Sequence, residues 1–555
     1  MNAIYVILLS LFCFYLSFRY YSRFLNNKIF EMNSNEPTPA YRFQDDIDYA
    51  PTKKAILFGH HFASIAGASP IVGPAIAVIW GWVPALIWIV LGSIFMGAVH
   101  DFGSLSVSVK HDGSSIGNIA SDVIKPRART LFLFIVFFLL LLVLAVFAYI
   151  IATLFVKYPT TVLPINIQII FAVILGYLFY RKKIKILVPS LITLIILYFF
   201  IWVGLKTPLT IPAMFGIPPL QIWIILLMLY SFFASVLPVW ILLQPRDYIN
   251  SHQLMVGISL LFLGSFLLNP KIVAPAIQLS PQGAPLMIPF LFVTIACGAI
   301  SGFHSLVSSG TTSKQMRKMT DGRTIGYGAM IVEGCLALIA LIAVSAGFTN
   351  KVDWMAHYES WGKADSMGAT LSAFLTGSSR FLNALGIPED LGVSFIGVLI
   401  IAFAATTLDT ACRIQRYIIS ELGKSYKIKI MENRYLASGI AAGLSLALAL
   451  LKGGGQGGLI LWPLFGATNQ LISGLALLVI TVYLYKKGKP IIYTLIPMIL
   501  IALISTATLI LNIKDYIYTH NWLLLFLGTV ILALELWLIS EGLLIIKKRK
   551  DVKES

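Results

Sequence analysis

The sequence predicts an all-α membrane protein that crosses the bilayer about fifteen times, and three observations support this prediction. Only 12% of its 555 residues are charged and the mean hydropathy is +0.86, whereas a soluble domain carries about 25% charged residues. Most of the apolar runs are about 17–25 residues long, the length that a helix needs to cross roughly 30 Å of hydrocarbon. None of the 41 lysine and arginine residues lies inside these runs. A soluble catalytic domain is therefore excluded.

The apolar runs give the predicted spans in chain order. They lie near 3–18, 55–80, 83–108, 131–155, 165–180, 186–205, 220–243, 253–269, 286–306, 325–348, 391–411, 435–451, 459–484, 490–511 and 520–546. The first run could pass for a signal peptide, but no basic residue precedes it and no small-x-small cleavage site is evident. Arg19, Arg23 and Lys28 follow it. We therefore expect a retained first helix whose N-terminus lies outside.

The number of basic residues alternates between successive loops. If the chain changes sides at every predicted span, 33 lysine and arginine residues lie on one side and 8 on the other. Short cytoplasmic loops carry an excess of basic residues, so the richer side is predicted to be the cytoplasm. The pattern predicts an odd number of spans and a cytoplasmic C-terminus. The net charge of +17 then reflects topology and attraction to anionic lipid, and no nucleic-acid partner is expected.

Two predicted loops are long. Residues 19–54 are polar, contain three prolines and are predicted to be cytoplasmic and partly irregular. Residues 349–390 are mixed in charge and are predicted to be external, with short surface helices.

The second predicted span, 55–80, carries glycine and proline at its centre. Gly67, Pro70 and Gly73 lie close together there, and glycine removes side-chain bulk while proline removes a backbone donor. We expect the helix to unwind near Ala66–Gly73. Unwound backbone is tolerated in a bilayer only where it faces protein or a water-filled cavity. The break is therefore predicted to bind a solute or ion, with a simple proline kink as the alternative.

A second interruption is predicted in span 220–243, which contains Pro238 and is followed by Pro245. The tripeptide Phe-Ala-Ser occurs at 62–64 and again at 233–235. Four predicted spans separate the two segments, so each segment is the first span of a set of five. Because each set has an odd number of spans, the second set starts on the opposite side of the membrane and is inverted relative to the first. Paired interrupted helices in inverted halves indicate a transporter site at the midplane. The candidate substrate-binding residues are His60, His61, Ser64, Gly67, Ser69, Gly73, Ser235 and His304.

Two adjacent histidines lie in the first interrupted span, where polar groups are costly and usually face an internal cavity. His60 and His61 point in different directions about a helix, so at most one of them is expected to line the pathway, where it would bind substrate or relay protons. A packing role is the alternative for each. The sequence does not decide which of the two faces the pathway.

Acidic residues also lie within the spans. Asp101, near the cytoplasmic end of its span, is either a hydrated end residue or a gate or proton site. Glu333 and Asp409 have no lysine or arginine partner within a predicted span, and burial disfavours their charged form, which suits proton binding. Asp409 is preferred because threonine hydroxyls surround it. Glu535 and Glu541, in the last span, are expected to be structural or interfacial.

The stretch 298–313 is rich in small and hydroxyl-bearing residues. Such residues allow close approach of helices, and their oxygens are also hard ligands of the kind that Na⁺ takes. Packing is the first interpretation and Na⁺ coordination the second. The candidate coupling residues are Asp101, Asp409, Ser308, Ser309 and Thr312. No metal site or disulfide framework is expected, because the four cysteines are far apart and show no CxxC spacing.

Five segments resemble the carbon starvation protein A (CstA) family. They are GHHFASIAGASPIVGPAIA at 59–77, MGAVHDFGSL at 96–105, CGAISGFHSLVSSGTTSKQ at 297–315, AATTLDTACRIQRY at 404–417 and LWPLFGATNQL at 461–471. The resemblance implies an inner-membrane secondary transporter of the amino acid–polyamine–organocation superfamily, with a five-plus-five inverted repeat. It also implies uptake of peptides, or of pyruvate with proton coupling, when carbon is scarce.

The resemblance further implies how the chain is divided. It places an N-terminal transporter region at 1–375, a C-terminal five-helix region at 390–546 and a basic cytoplasmic tail at 547–555. The inverted-repeat core would lie mostly within 55–411, with its first helix at 55–80, its sixth at 220–243, its eighth at 286–306 and its tenth at 391–411.

We therefore expect an importer of a small carboxylate-bearing nutrient that works by alternating access and uses no cofactor beyond H⁺ or Na⁺. Backbone amides at the two breaks would receive the carboxylate, because half-helix N-termini carry partial positive charge. Pyruvate and short peptides, H⁺ and Na⁺, and the oligomeric state remain open. A channel and an intramembrane enzyme are the competing functions. Two similar halves favour a carrier over a channel. An enzyme is disfavoured because no HExxH occurs and the candidate histidine and aspartate residues lie on distant spans.

Overall fold

The computed structural model describes residues 1–33, 36–185, 187–364, 367–451 and 457–554. Within these ranges the chain is α-helical, with three isolated β-bridges and no β-strand. The helices in the first half are α1 (Ala3–Phe30), α2 (Pro39–Arg42), α3 (Lys54–Ile65), α4 (Ser69–Trp80), α5 (Trp82–Lys110), α6 (Ile116–Val123), α7 (Pro126–Lys157), α8 (Pro159–Arg181), α9 (Leu187–Lys206), α10 (Pro219–Val236) and α11 (Leu243–Leu268).

The second half begins with another interrupted segment. Its helices are α12 (Met287–Thr294), α13 (Gly302–Val307, continued by a π-helical turn over Ser308–Thr312), α14 (Met319–Ala346), α15 (Lys351–Tyr358), α16 (Trp361–Ala364), α17 (Met367–Asn383), α18 (Glu389–Ser425), α19 (Arg434–Leu450), α20 (Gly457–Lys486), α21 (Ile492–Tyr518) and α22 (Trp522–Glu554). Short helices α15 and α16 lie in 349–390 as predicted, whereas α17 is 17 residues long and buries Phe374 and Phe381.

Twelve helices of the described chain are long and apolar enough to cross a membrane, and the bent pair α3/α4 makes thirteen. The apolar helix α19 has 17 residues, and α12 and α13 are each too short to cross alone. The predicted count of fifteen and the predicted sides of the two termini remain predictions. The first helix is longer than predicted, because it runs past the basic residues at 19–28 to Phe30.

The first predicted break is confirmed and is narrower than expected. Helix α3 ends at Ile65, α4 begins at Ser69, and the two helices meet at 42°. Ala66 leaves the helical region with φ −77° and ψ 56°. Pro70 occupies the first turn of α4, where the donor that proline lacks has no helical partner in any case. Only residues 66–68 are unwound.

The second broken helix is not the predicted segment. Residues 237–242 separate α10 from α11 as a turn between two helices, whereas α12 and α13 form a single segment interrupted at 295–301. The two Phe-Ala-Ser tripeptides therefore do not mark equivalent positions. The interruption at 295–301 was missed because it contains no proline and lies within a continuous run of apolar and small residues.

The two broken helices cross in antiparallel directions. His61 contacts Thr312, with 2.8 Å between Nδ1 and Oγ1. Farther along, a Cβ built on Gly73 would lie 2.5 Å from the carbonyl oxygen of Thr294. Residue numbers rise along one segment as they fall along the other. Glycine at position 73 is therefore required by the close approach of two backbones.

The packing of the helices repeats in the second half, with the direction inverted. Helix α10 packs against α7 and α18, and α19 packs against the same pair. Helix α11 packs along α3, α20 packs along α13, and α7 packs against α18. The repeats are α3/α4, α5, α7, α10 and α11, and then α12/α13, α14, α18, α19 and α20. The α8–α9 hairpin is an insertion in the first repeat.

The five-plus-five inverted core is therefore confirmed, but its helices are reassigned. The sixth core helix is α12/α13, the eighth is α18 and the tenth is α20, so the core continues beyond residue 411 to Lys486. The inserted hairpin adds two crossings, so the number of crossings from the start of the first repeat to the start of the second stays odd. The second repeat is therefore still inverted relative to the first. The predicted division at 375–390 and the cytoplasmic location of 547–555 remain predictions, although α22 continues through Glu554.

We expect Gly73→Ala to weaken the crossing of the broken helices. Its methyl group would lie too close to the Thr294 carbonyl, and overpacking of this kind costs about 1–3 kcal/mol. The thermal midpoint of the purified protein in detergent should fall. Gly443→Ala is the matched control, because a Cβ on this α19 glycine meets nothing within 4 Å. Equal midpoints for the two variants would contradict the proposed packing.

Candidate functional site

His60 and His61 emerge from α3 on different sides, and both are fully buried. The Nδ1 atom of His60 lies 2.6 Å from Oδ2 of Asp247 on α11. The Nδ1 atom of His61 lies 2.8 Å from Oγ1 of Thr312 after α13. Neither Nε2 atom has a hydrogen-bond partner among the described residues. The pair thus connects the first broken helix to α11 and to the second broken helix.

Asp409 is part of a buried charge cluster that also contains Arg246, Asp247, Tyr230 and His60. The Arg246 guanidinium forms an ion pair with Asp409 and lies 3.2 Å from an oxygen of Asp247. The Tyr230 hydroxyl donates to Asp409 at 2.8 Å. The expectation that Asp409 has no basic partner within the membrane is therefore wrong.

The error arose from the predicted start of α11. Hydropathy placed 244–252 in a loop because it contains Arg246 and Asp247, whereas the helix begins at Leu243 and carries both residues inside the protein. Each charge there has an opposite partner, which is how ionisable groups are tolerated at such sites. The polar run Gln-Pro-Arg-Asp directly after an apolar span was the only signal that could have indicated this cluster.

A second buried cluster contains Asp101. This residue is fully buried, so of its two interpretations the hydrated end residue is wrong and the gate or proton site remains a prediction. Its two carboxylate oxygens lie 2.7 Å from Nδ1 of His100 and 2.9 Å from Nδ1 of His304. The other ring nitrogen of His304 lies 3.4 Å from Glu333 on α14. Helix α5 continues to Lys110, so Asp101 lies in its interior. The cluster joins α5, α13 and α14.

The hydrogen-bond geometry of this cluster does not fix the position of one proton, the one between His304 and Glu333. If His100 and His304 each donate from Nδ1, Asp101 is an anion with two donors. Only one proton then lies between His304 Nε2 and Glu333, either on the imidazole or on the carboxyl group. Both Glu333 oxygens otherwise have no hydrogen-bond partner among the described residues. Loss of that proton would leave two buried carboxylates beside a neutral imidazole, which is costly.

Hydroxyl groups of α18 face the first break. The Ser64 hydroxyl lies 3.2 Å from that of Thr410, and the Ser64 carbonyl accepts a hydrogen bond from Thr407 at 3.3 Å. A Cβ on Gly67 would lie 2.7 Å from the Thr407 hydroxyl. The unwound backbone is therefore covered by polar side chains rather than by lipid, as the bilayer requires.

Several predicted site residues lie elsewhere. The Ser235 hydroxyl donates to Ser438 at 2.8 Å, where α10 meets α19. Gly73 lies at the backbone crossing described above. Ser309 accepts a hydrogen bond from the backbone of Ile116 at 3.1 Å. The hydroxyls of Ser309 and Thr312 thus contact different neighbours, and Na⁺ coordination by this turn, with Ser308, remains a prediction.

A cavity of about 530 Å³ adjoins both breaks. Ser69 contributes from the first break, and Thr294 and Ala296 from the second. Its outer rim includes 283–286 and Trp361, on the side that the charge pattern predicts to be external. A volume of this size is typical of a small-molecule site. The cavity is the candidate entry to the breaks.

The opposite end of the core is closed by the segment before α3. Asp48 accepts a hydrogen bond from the Tyr417 hydroxyl at 2.5 Å and lies 3.5 Å from Arg413 and 3.8 Å from Arg416 of α18. Burial raises the pKa of Asp48, but Lys314 and the two arginines outweigh it and hold the pKa below its usual 3.8. The carboxylate therefore remains charged near neutral pH, and these ion pairs are lost only as the pH falls through that lowered pKa.

Comparisons with known proteins show the family of this chain. The model of the carbon starvation protein CstA family matches residues 2–357 and 346–508. The chain belongs to the CstA family. The "Peptide transporter CstA" of Campylobacter jejuni is 32% identical, with 92% of this chain and 79% of the relative covered. The "Pyruvate/proton symporter BtsT" of Escherichia coli K12 is 32% identical, with 88% and 78% covered.

Among solved structures, MhsT in complex with L-phenylalanine aligns with 89% of this chain and 99% of its own at a TM-score of 0.46 and 12% identity. The family assignment confirms the resemblance seen in the five sequence segments. The chain is therefore a multi-pass membrane protein of the CstA family, and its relatives are named as transporters.

We expect Arg246→Gln to destabilise the protein more than Asp409→Asn. The first change leaves two buried carboxylates without a cation, and removal of one partner from a buried ion pair costs about 3–5 kcal/mol. The second change leaves Arg246 beside Asp247 and Tyr230. Thermal midpoints in detergent should follow this order, with the exposed Arg434→Gln near wild type. A larger loss for Asp409→Asn would contradict the assigned pairing.

Proposed function

We propose that this protein imports pyruvate or short peptides by alternating access and couples their movement to protons. The observation that carries the proposal is the antiparallel crossing of two broken helices, with a cavity on one side and a closed end on the other. The relatives are named for peptide transport and for pyruvate/proton symport. Their two substrates share a carboxylate.

The cavity indicates how a carboxylate would be held. Ser69 lines the cavity and begins α4, a nine-residue helix followed by one 3-10 turn. A helix N-terminus carries partial positive charge and can bind an anion. In the proposed cycle the substrate carboxylate lies at this terminus, between the two breaks. Ser64 and Gly67 then keep the unwound backbone in place against α18.

The buried clusters favour H⁺ as the coupling ion. The unit formed by Asp101, His304 and Glu333 has one mobile proton and no compensating lysine or arginine among its described contacts. Asp409 is compensated by Arg246, so it is the weaker candidate although the sequence favoured it. His60 and His61 lie on the first broken helix, where they connect the cluster around Asp247 with Thr312. A proton relay through them is part of the proposal.

Uptake into proteoliposomes tests this function. Labelled pyruvate and a labelled dipeptide are supplied under a pH gradient alone and under a Na⁺ gradient alone. We expect saturable accumulation of chemically unchanged solute with the pH gradient, and counterflow when the inside is preloaded. Non-saturating flux without counterflow would indicate a channel, and chemical change of the solute would indicate an enzyme. Accumulation with the Na⁺ gradient alone would shift the coupling to Na⁺.

We expect Glu333→Gln to remove proton-driven accumulation while counterflow exchange continues. The amide cannot take up or release the proton shared with His304, but it occupies nearly the same volume. A pH gradient of one unit is worth about 1.4 kcal/mol per proton and should drive about tenfold accumulation in the wild type. The variant should accumulate nothing above equilibrium.

Glu535→Gln is the matched control for this measurement. Glu535 is also a buried carboxylate, but it lies on α22 and accepts a hydrogen bond from Ser505 at 2.8 Å, away from the broken helices. The Glu535→Gln variant should accumulate solute as the wild type does. Unchanged proton-driven accumulation in Glu333→Gln would contradict the assignment of the coupled proton.

A further inference from the structure

One wall of the cavity comes from α21, a helix outside the five-plus-five core. Asn512, Asp515 and Tyr516 of this helix line the cavity opposite the two breaks. Asn512 and Tyr516 are four residues apart and therefore lie on one face of the helix. The polar side chains on this side of the cavity are therefore supplied by a helix that is not part of the five-plus-five core.

Asn512 and Tyr516 carry hydrogen-bonding groups that have no protein partner. Asn512 is 5% exposed and Tyr516 is 4% exposed. The Asn512 amide nitrogen and the Tyr516 hydroxyl have no hydrogen-bond partner among the described residues. Buried polar groups are nearly always hydrogen-bonded, and each exception requires an explanation. Asn512 and Tyr516 both line the cavity, and two unpaired donors beside it point to a ligand that supplies acceptors.

The other walls define what that ligand must carry. Trp462, Phe465 and Trp361 provide aromatic surface. Among the described residues that line the cavity there is no lysine, arginine or histidine, so a bare small anion has no side-chain cation here. Asp515 is exposed at the rim and would attract an ammonium group. Peptide carbonyls, an apolar side chain and a free amino group together match these walls.

We propose that this cavity is an outer recognition site for short peptides with apolar side chains, and that Asn512 and Tyr516 determine its specificity. Their amide and hydroxyl donate to the peptide carbonyl groups, while the side chain packs against the aromatic wall. The volume of about 530 Å³ far exceeds the needs of a three-carbon acid. The inference rests on the proposed function and narrows its substrate class.

The test measures binding and uptake separately. Equilibrium binding of labelled alanyl-phenylalanine is measured on purified protein, and its uptake is measured in proteoliposomes, for wild type, Tyr516→Phe and Asn512→Leu. We expect both variants to raise the dissociation constant and KM about five- to tenfold, with little change in maximal rate. Alanyl-phenylalanine should compete better than alanyl-serine. Pyruvate uptake, where the wild type shows it, should keep its KM in both variants.

Tyr518→Phe is the matched control, because Tyr518 lies two residues farther along α21 with its side chain 73% exposed. It should bind the dipeptide as the wild type does. Gel filtration and thermal midpoints establish that each variant is folded. If Asn512→Leu proves unstable, the test relies on Tyr516→Phe, which removes a single hydroxyl.

The outcomes separate this inference from the proposed function. Dipeptide binding that is absent in the wild type, or unchanged in Tyr516→Phe, overturns the recognition site even if uptake stands. Accumulation of neither solute by the wild type overturns the proposed function, and the binding measurements still decide the site.

Discussion

The close antiparallel crossing of two broken helices is the constraint on which the rest of the structure depends. Unwound backbone cannot face hydrocarbon, because its amides and carbonyls would lose their hydrogen bonds. The breaks at 66–68 and 295–301 therefore have to be covered by protein. Threonines of α18 cover the first break, whereas Trp88 donates to the Ile295 carbonyl at 3.0 Å and Ser93 to the Gly298 carbonyl at 3.0 Å in the second. Each break is therefore covered by a helix of the opposite repeat.

Buried charge follows the same arrangement. The Arg246 cluster connects α3, α10, α11 and α18, and the Asp101 cluster connects α5, α13 and α14. The first cluster contains a permanent cation, and its guanidinium pairs with both aspartates. The second has only imidazoles to balance its carboxylates. This difference makes the first cluster suited to holding helices together and the second suited to exchanging a proton.

The sequence predicted what depends on average composition and missed what depends on particular pairings. Apolar runs predicted the class and most spans, and Gly67 with Pro70 predicted the first break. The second break has no proline, and a stretch of small residues looks the same whether it packs or unwinds. Hydropathy also places Arg246 and Arg413 outside the membrane-spanning helices. From the sequence alone, a charge that is neutralised by a residue distant in the chain cannot be distinguished from a charge exposed to solvent. Nothing in the sequence indicated Asn512 and Tyr516, because what distinguishes them is that their polar groups have no hydrogen-bond partner in the structure.

The placement of the second cluster suggests how proton binding can be linked to movement in the proposed cycle. His304 lies on α13, the second of the two halves of the second broken helix, between Asp101 on α5 and Glu333 on α14. A shared proton lets α13 remain between the two carboxylates. Its loss would leave those carboxylates repelling each other across a neutral ring, in a region of low dielectric where such repulsion is strong. The energy is relieved if α13 shifts relative to α5 and α14. Because α12 of the same broken helix lines the cavity, that shift would reach the substrate directly.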